Sequence, residues 1–407
     1  MSSAMHPDIR QYLVITGAYW AFTLTDGAIR MLVVLYFHLL GYSPLQVALL
    51  FLFYELFGVI TNLVGGWLGS RIGLDRTQHL GMALQVIALG LLTVPDSWLS
   101  VPYVMAAQAL SGIAKDLNKM SAKAGVKSLV SGDQPSRLFR WVALLTGSKN
   151  ALKGLGFFLG AGLLQWLGFR GALLVLSLGL LAALLASLAL LPHQAGAVRR
   201  KAKFSQLLSH NTAINWLSAA RFFLFGARDV WFVVALPVFL YDVLEWSFMA
   251  VGMVLAAWTI GYGVVQATAP RLLRRSRQQP GPAITQAWGL VLALVPAAIA
   301  LTLPYDTWQP ALLVGGLVLF GVVFAINSAL HSYLILAYAE QDKVALNVGF
   351  YYMANAGGRL AGTVLSGWLY QIAGLDACLW SSAAMVMLAV LLSLRLPQVP
   401  TTAAAAS

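Results

Sequence analysis

The sequence predicts an all-α membrane protein of twelve transmembrane helices in two pseudo-symmetric six-helix bundles. Three observations predict it: high hydropathy, apolar runs recurring at membrane length, and a basic break near the midpoint. Of 407 residues, 59% are hydrophobic and 10% charged, with a mean hydropathy of +0.78. A soluble domain of this size needs far more polar surface. The runs are each about 20 residues long, enough to cross a hydrocarbon core of about 30 Å.

These runs place helices at 11–39, 44–68, 77–95, 101–124, 138–166, 169–191, 212–240, 247–269, 281–303, 310–336, 344–371 and 375–395. The first run is too long for a cleaved signal and lacks a small-residue cleavage site, so the first span should be retained. Twelve spans put both termini on one side. On that side the connections and termini carry sixteen basic residues, against Arg170 alone on the other. That asymmetry predicts that both termini are cytoplasmic. The expected division is an N-terminal bundle over 1–191, a basic cytoplasmic linker over 192–210 and a C-terminal bundle over 211–407.

Composition also narrows function. The net charge of +12 does not mark a nucleic-acid binder, because the basic residues lie in short loops or inside apolar spans. The single cysteine, Cys378, rules out an intramolecular disulfide and a cysteine-based metal cluster. The aqueous segments hold no Ser-His-Asp set, no His-rich metal spacing and no Gly-rich nucleotide loop, so no enzyme, cofactor or metal is expected.

The second half echoes the first. Ser43, Leu68 and Arg71 meet Ser247, Leu272 and Arg275 at an offset of 204; Asn150-Ala151 meets Asn355-Ala356 at 205. Gly-Ala recurs beside an Arg and an Asp at Gly27–Arg30 and Gly226–Asp229. After the second span, residues Gly66 to Gly73 resemble the Gly-x-Leu-Ala-Asp-Arg-x-Gly loop of the major facilitator superfamily, with Ser70 in place of the family's Asp. The resemblance implies the major facilitator fold, with helices 1, 4, 7 and 10 lining a central cavity and 2, 5, 8 and 11 flanking it. Two other family marks are incomplete. Gln108 stands where many proton-driven members have Arg, and the row Gly154, Gly156, Gly160 and Gly162 has no Pro and reads as close helix packing.

Nine basic residues fall inside the spans: Arg30, Lys115, Lys119, Lys123, Lys149, Lys153, Arg221, Arg228 and Arg359. Four acids, Asp26, Glu55, Asp116 and Asp229, stand against them. A charge at the centre of a lipid-facing helix costs ~2.5–3.5 kcal/mol on insertion scales, so the surplus points to a water-filled cationic cavity. Lys123 lies close enough to the helix end to snorkel. Arg30 can pair with Asp26 at i, i+4. Arg228 can pair with an acid on another helix, since Asp229 lies about 100° away around the helix. Lys149 and Lys153 sit ~17 and ~23 Å into the fifth helix, on one face and with no acid on that helix. Lys115 and Lys119 repeat the spacing beside Asn118, and Arg221 and Arg359 supply the second half's share.

Arginine forks and lysine point charges suit phosphate and carboxylate oxygens, so a small organic anion charged at both ends is the expected solute. The acids Asp26, Glu55, Asp116 and Asp229 are candidate proton carriers, Glu55 and Asp26 foremost, or salt-bridge partners holding cationic helices together. A lone His331 in the tenth span reads as a packed polar residue.

The stretches 19–27, 110–123, 146–154 and 225–231 resemble the bacterial organoarsenical efflux permeases of arsenic-resistance operons, the ArsJ type. That resemblance implies export of 1-arseno-3-phosphoglycerate, formed when arsenate replaces phosphate in the glyceraldehyde-3-phosphate dehydrogenase reaction. It also implies arsenate resistance and a functional link to that dehydrogenase; such carriers act as monomers. The rival reading is an organophosphate or other organic-anion carrier, proton-coupled or exchanging for phosphate.

Overall fold

The computed structural model describes residues 7–72, 74–129, 135–191, 211–275, 281–303, 309–338 and 344–398. Gly73, the side chains of 66–72 and Lys123, the segment 192–210 and both chain ends lie outside the described residues. So do the expectations placed on them: the loop motif, the linker, the snorkelling lysine and the termini.

Every regular element among the described residues is helical. They are α1 (Pro7–Leu39), α2 (Pro44–Leu49), α3 (Leu52–Ile72), α4 (Leu74–Leu91), α5 (Val101–Leu129), α6 (Pro135–Leu190), α7 (Thr212–Phe232), α8 (Ala235–Asp242), α9 (Phe248–Arg275), α10 (Pro282–Thr302), α11 (Gln309–Tyr338) and α12 (Val344–Ser393). Helix starts follow local chemistry. Ser43 and Gln46 form a capping box with Pro44 in the first turn of α2, and the Asn211 side chain accepts the amides of Ala213 and Ile214 at the start of α7.

Eight described segments are long and apolar enough to cross a membrane. Two of them, of 43 and 44 residues, lie within α6 and α12 and are long enough to cross twice. Each of those helices breaks where Gly168 (φ 66) or Gly374 (φ 71) takes the left-handed region, which only glycine enters at little cost. The two breaks, with the more polar α4 and α5, complete the twelve crossings. The expected turns at 166–169 and 371–375 fall on these glycines.

The chain forms two compact units. Unit 1 is Met1–Phe204 with Leu236–Gly263, and unit 2 is Ser205–Ala235 with Val264–Ser407. Thus α8 and the first half of α9 group with the first half of the chain. Small residues make this possible, since a Cβ added at Gly154 of α6 would come within 2.7 Å of the Ala256 carbonyl of α9. In unit 1, Asp96 receives the Tyr36 hydroxyl (2.9 Å) and Arg170 (3.0 Å), and Tyr36 stacks on Phe169. These contacts pin the end of α1 to the α4–α5 turn and to the break in α6.

Within each unit one helix pair makes an unusually close approach. In unit 1, a Cβ on Gly156 of α6 would overlap the Leu24 carbonyl of α1, and one on Gly27 would lie 2.5 Å from the Lys153 carbonyl. In unit 2, a Cβ on Gly358 of α12 would overlap the Phe222 carbonyl of α7. Backbones this close bring α1 charges to α6 charges, and α7 charges to those of α12.

Candidate functional site

Unit 1 gathers charges from four helices. Arg30 of α1 donates from Nη2 to Glu55 Oε1 of α3 at 2.7 Å, and both side chains are buried. The expected pairing of Arg30 with Asp26 is therefore corrected. Asp26 instead accepts the Tyr54 hydroxyl at 2.5 Å, and Lys153 Nζ of α6 stands 4.0 Å from its other oxygen. A cross-helix partner was not visible in spacing along α1. Glu55, which has few basic neighbours in sequence, lies between two cations in space: Lys115 Nζ is 3.9 Å from its second oxygen.

Lys115 stands equally far, 3.9 Å, from Asp116 Oδ2, and its ammonium sits 4.0 Å from the centre of the Tyr54 ring. Lys119 donates to Asp116 Oδ1 (2.5 Å) and to Asn62 Oδ1 (2.7 Å). A Cβ at Gly58 would lie 3.1 Å from Asp116 Oδ2 and 3.3 Å from Lys115 Nζ, so the glycine leaves room for this pair. Lys149, half-buried, sits one turn before Lys153 on α6.

Asn118 is not brought into this cluster. Its amide donates to the Ala114 carbonyl (3.0 Å), and it packs where a Cβ on Gly81 of α4 would fall. Two residues the sequence reading missed belong to the cluster: Tyr54 and Asn62. Glu55, Gly58 and Asn62 share one face of α3 at i, i+3 and i+7, a signal that a polar stripe in an apolar span could have given.

Unit 2 gathers two arginines around one acid, with a third two turns away. Arg228 Nε donates to Asp229 Oδ1 (2.5 Å) and Arg359 Nε of α12 to Asp229 Oδ2 (3.1 Å). The expectation that Arg228 pairs on another helix is corrected. The 100° between neighbouring residues is spanned because the arginine side chain is long enough to fold back. Asp229 is fully buried. Arg221, two turns earlier on α7, donates to Asn355 Oδ1 of α12 (3.0 Å) and to the Ser328 carbonyl of α11 (3.3 Å). The Phe225 ring lies 4.0 Å from the Arg221 guanidinium and 4.9 Å from that of Arg228.

Most of the intramembrane cations stand beside a carboxylate. The carboxylates are nonetheless outnumbered. Among the described residues of the unit 1 cluster, Arg30, Lys115, Lys119 and Lys153 face Asp26, Glu55 and Asp116, with Lys149 one turn before Lys153. In unit 2, Arg228 and Arg359 share Asp229, and Arg221 stands two turns earlier on α7 with no carboxylate partner among the described residues. Each paired set keeps one positive charge in excess, and counting Lys149 and Arg221 nearby on α6 and α7 raises the excess to two. Withdrawing ions from water costs several kcal/mol apiece unless it is repaid by partners, so an excess of this kind favours an anionic guest.

An all-helical, multi-pass chain with charged clusters inside its spans is built as a membrane transporter. The family model of the Major Facilitator Superfamily matches residues 15–339, and the chain belongs to that superfamily. Its fold is similar to a solved structure of a proton-dependent oligopeptide transporter, with a TM-score of 0.72, 15% identity, and coverage of 95% of this chain and 98% of that one. A search of curated proteins finds no match.

Proposed function

We propose that this transporter exports a small, multiply charged organic anion, 1-arseno-3-phosphoglycerate, from the bacterial cytoplasm and so confers arsenate resistance. The observation that carries the reading is the excess of cations over carboxylates in each cluster, two in each when Lys149 and Arg221 are counted. An ester with a phosphate group and an arsenate group offers two doubly charged ends. Arg30, Lys115, Lys119, Lys149, Lys153, Arg221, Arg228 and Arg359 supply the attraction. The resemblance of 110–123 and 146–154 to the organoarsenical permeases supports the choice of arsenic.

Asp26, Glu55, Asp116 and Asp229 hold these cations in place and are the groups through which a proton would couple. The carrier works as a monomer of two six-helix halves, 1–191 and 211–407, joined by the basic segment 192–210, with both termini cytoplasmic. Glyceraldehyde-3-phosphate dehydrogenase supplies the ester, which hydrolyses to release arsenate, so extrusion must outpace breakdown.

The test is arsenate tolerance of a sensitive strain expressing this gene, with and without the dehydrogenase. Protection only when the dehydrogenase is present is the expected result; equal protection without it would remove the ester as the solute. Proteoliposomes that take up ordinary 3-phosphoglycerate as fast as the arseno-ester would remove the selectivity for arsenic.

A further inference from the structure

Arg221 differs from the other buried cations whose contacts are described. Arg30, Lys115, Lys119, Lys153, Arg228 and Arg359 each have a carboxylate within 4 Å. Arg221, only 4% exposed, has none among the described residues. It also lies on a segment, Thr212–Asp242, whose apolar window is 89% buried within the protein, so the charge is not turned toward lipid headgroups.

The guanidinium is held but not saturated. A guanidinium has five N–H donors. Two bonds, to Asn355 and to the Ser328 carbonyl, are made among the described residues, and neither uses Nη2. The Phe225 and Tyr351 rings, 4.0 and 5.1 Å from the carbon, fix the plane of the fork. Ser218, one turn earlier on the same face of α7 and 2% exposed, has a hydroxyl with no hydrogen-bond partner. On α11, His331 follows Ser328 by three residues and leaves Nδ1 without a hydrogen-bond partner while 2% exposed. Buried polar atoms are rarely left unpaired. An unpaired Ser218 hydroxyl one turn from a guanidinium that has no carboxylate partner among the described residues points to a place for an oxyanion.

Resting on the anion-carrier reading, we propose that Arg221, Ser218 and Asn355 together form an oxyanion-head subsite that takes one phosphate-like end of the solute. The Nη2 edge of Arg221 meets two oxygens of a tetrahedral anion side by side, and the Ser218 hydroxyl donates to a third. Asn355 and Ser328 orient the fork. Arsenate and phosphate share this shape and charge, so the pocket recognises either end and does not itself select arsenic.

Binding of inorganic phosphate to the purified full-length protein in a neutral detergent, measured by calorimetry, tests this directly. Wild type should bind saturably. Arg221→Gln should weaken binding by about tenfold or more, the effect of losing hydrogen bonds from a charged group. Ser218→Ala should weaken it by about threefold to tenfold while leaving the melting temperature without phosphate unchanged. Arg221→Lys, which keeps the charge and loses the fork, should bind more weakly than wild type and more tightly than Arg221→Gln. Wild type that binds no phosphate, or a Ser218→Ala protein that binds as tightly as wild type, would overturn the subsite, and Ser218→Ala decides the matter even if the arginine variants fail to fold. Arseno-ester transport by a protein with no phosphate site would sink the subsite alone. Phosphate binding by a protein that carries no organic anion would sink the carrier reading alone.

Discussion

Arg30 on α1 and Glu55 on α3 close a buried 2.7 Å ion pair across two helices, although Asp26 lies one turn from Arg30 on its own helix. Removing one partner leaves the other charge buried and uncompensated. Glu55→Gln should therefore destabilise the protein by about 3–5 kcal/mol, while Arg30→Met combined with Glu55→Gln should recover part of that loss. Thermal unfolding of the two single variants and the double variant in detergent measures the coupling. Additive losses would show the pair to be incidental.

Lys153 approaches Asp26, and Lys149 precedes it by one turn on α6. Lys153→Ala and Lys149→Ala should each abolish arsenate resistance while the protein remains in the membrane, whereas Lys123→Ala should be milder. Growth on arsenate, with immunoblots of the membrane fraction, checks this. Resistance at the wild-type level in a well-expressed double variant would remove both lysines from the transport path.

Asp229 is shared by Arg228 and Arg359. Asp229→Asn strands two buried guanidinium groups and should lower stability by about 3–5 kcal/mol. Arg359→Gln leaves Arg228 on the carboxylate and removes one excess charge, so its loss should be clearly smaller. Melting temperatures of the two variants rank them, and the reverse order would contradict the shared arrangement.

Gly156→Leu puts a side chain where the Leu24 carbonyl already lies, and should cut the yield of folded protein severely. Gly17→Ala, with open space around it, should be neutral or stabilising by up to about 1 kcal/mol. Size-exclusion profiles of the two proteins give the comparison.

The helices were legible because a span must be apolar for about 20 residues whatever surrounds it. The breaks in α6 and α12 were legible as well, since Gly168 and Gly374 stand at the ends of such runs. The charged residues of the clusters could also be read, because an ion inside an apolar run stands out. Their partners were hidden, because pairing is decided by which helices touch. Arg30 prefers Glu55, 25 residues away, and Asp26 is satisfied by Tyr54 and Lys153. Arg228 failed differently: the angle between neighbours was correctly reckoned, but side-chain length was not. The grouping of α8 and early α9 with unit 1 was hidden too, since it depends on contacts between small residues such as Gly154 and the Ala256 backbone.

Five side chains of unit 1, Arg30, Glu55, Lys115, Asp116 and Lys119, alternate in sign like ions in a row of rock salt, with Lys115 midway between its two neighbours. A row of odd length must end as it begins, and this one begins and ends positive. A negative visitor arriving at either extremity meets attraction first, and Lys115 need shift only a few ångströms toward one flank to rebalance the row around it.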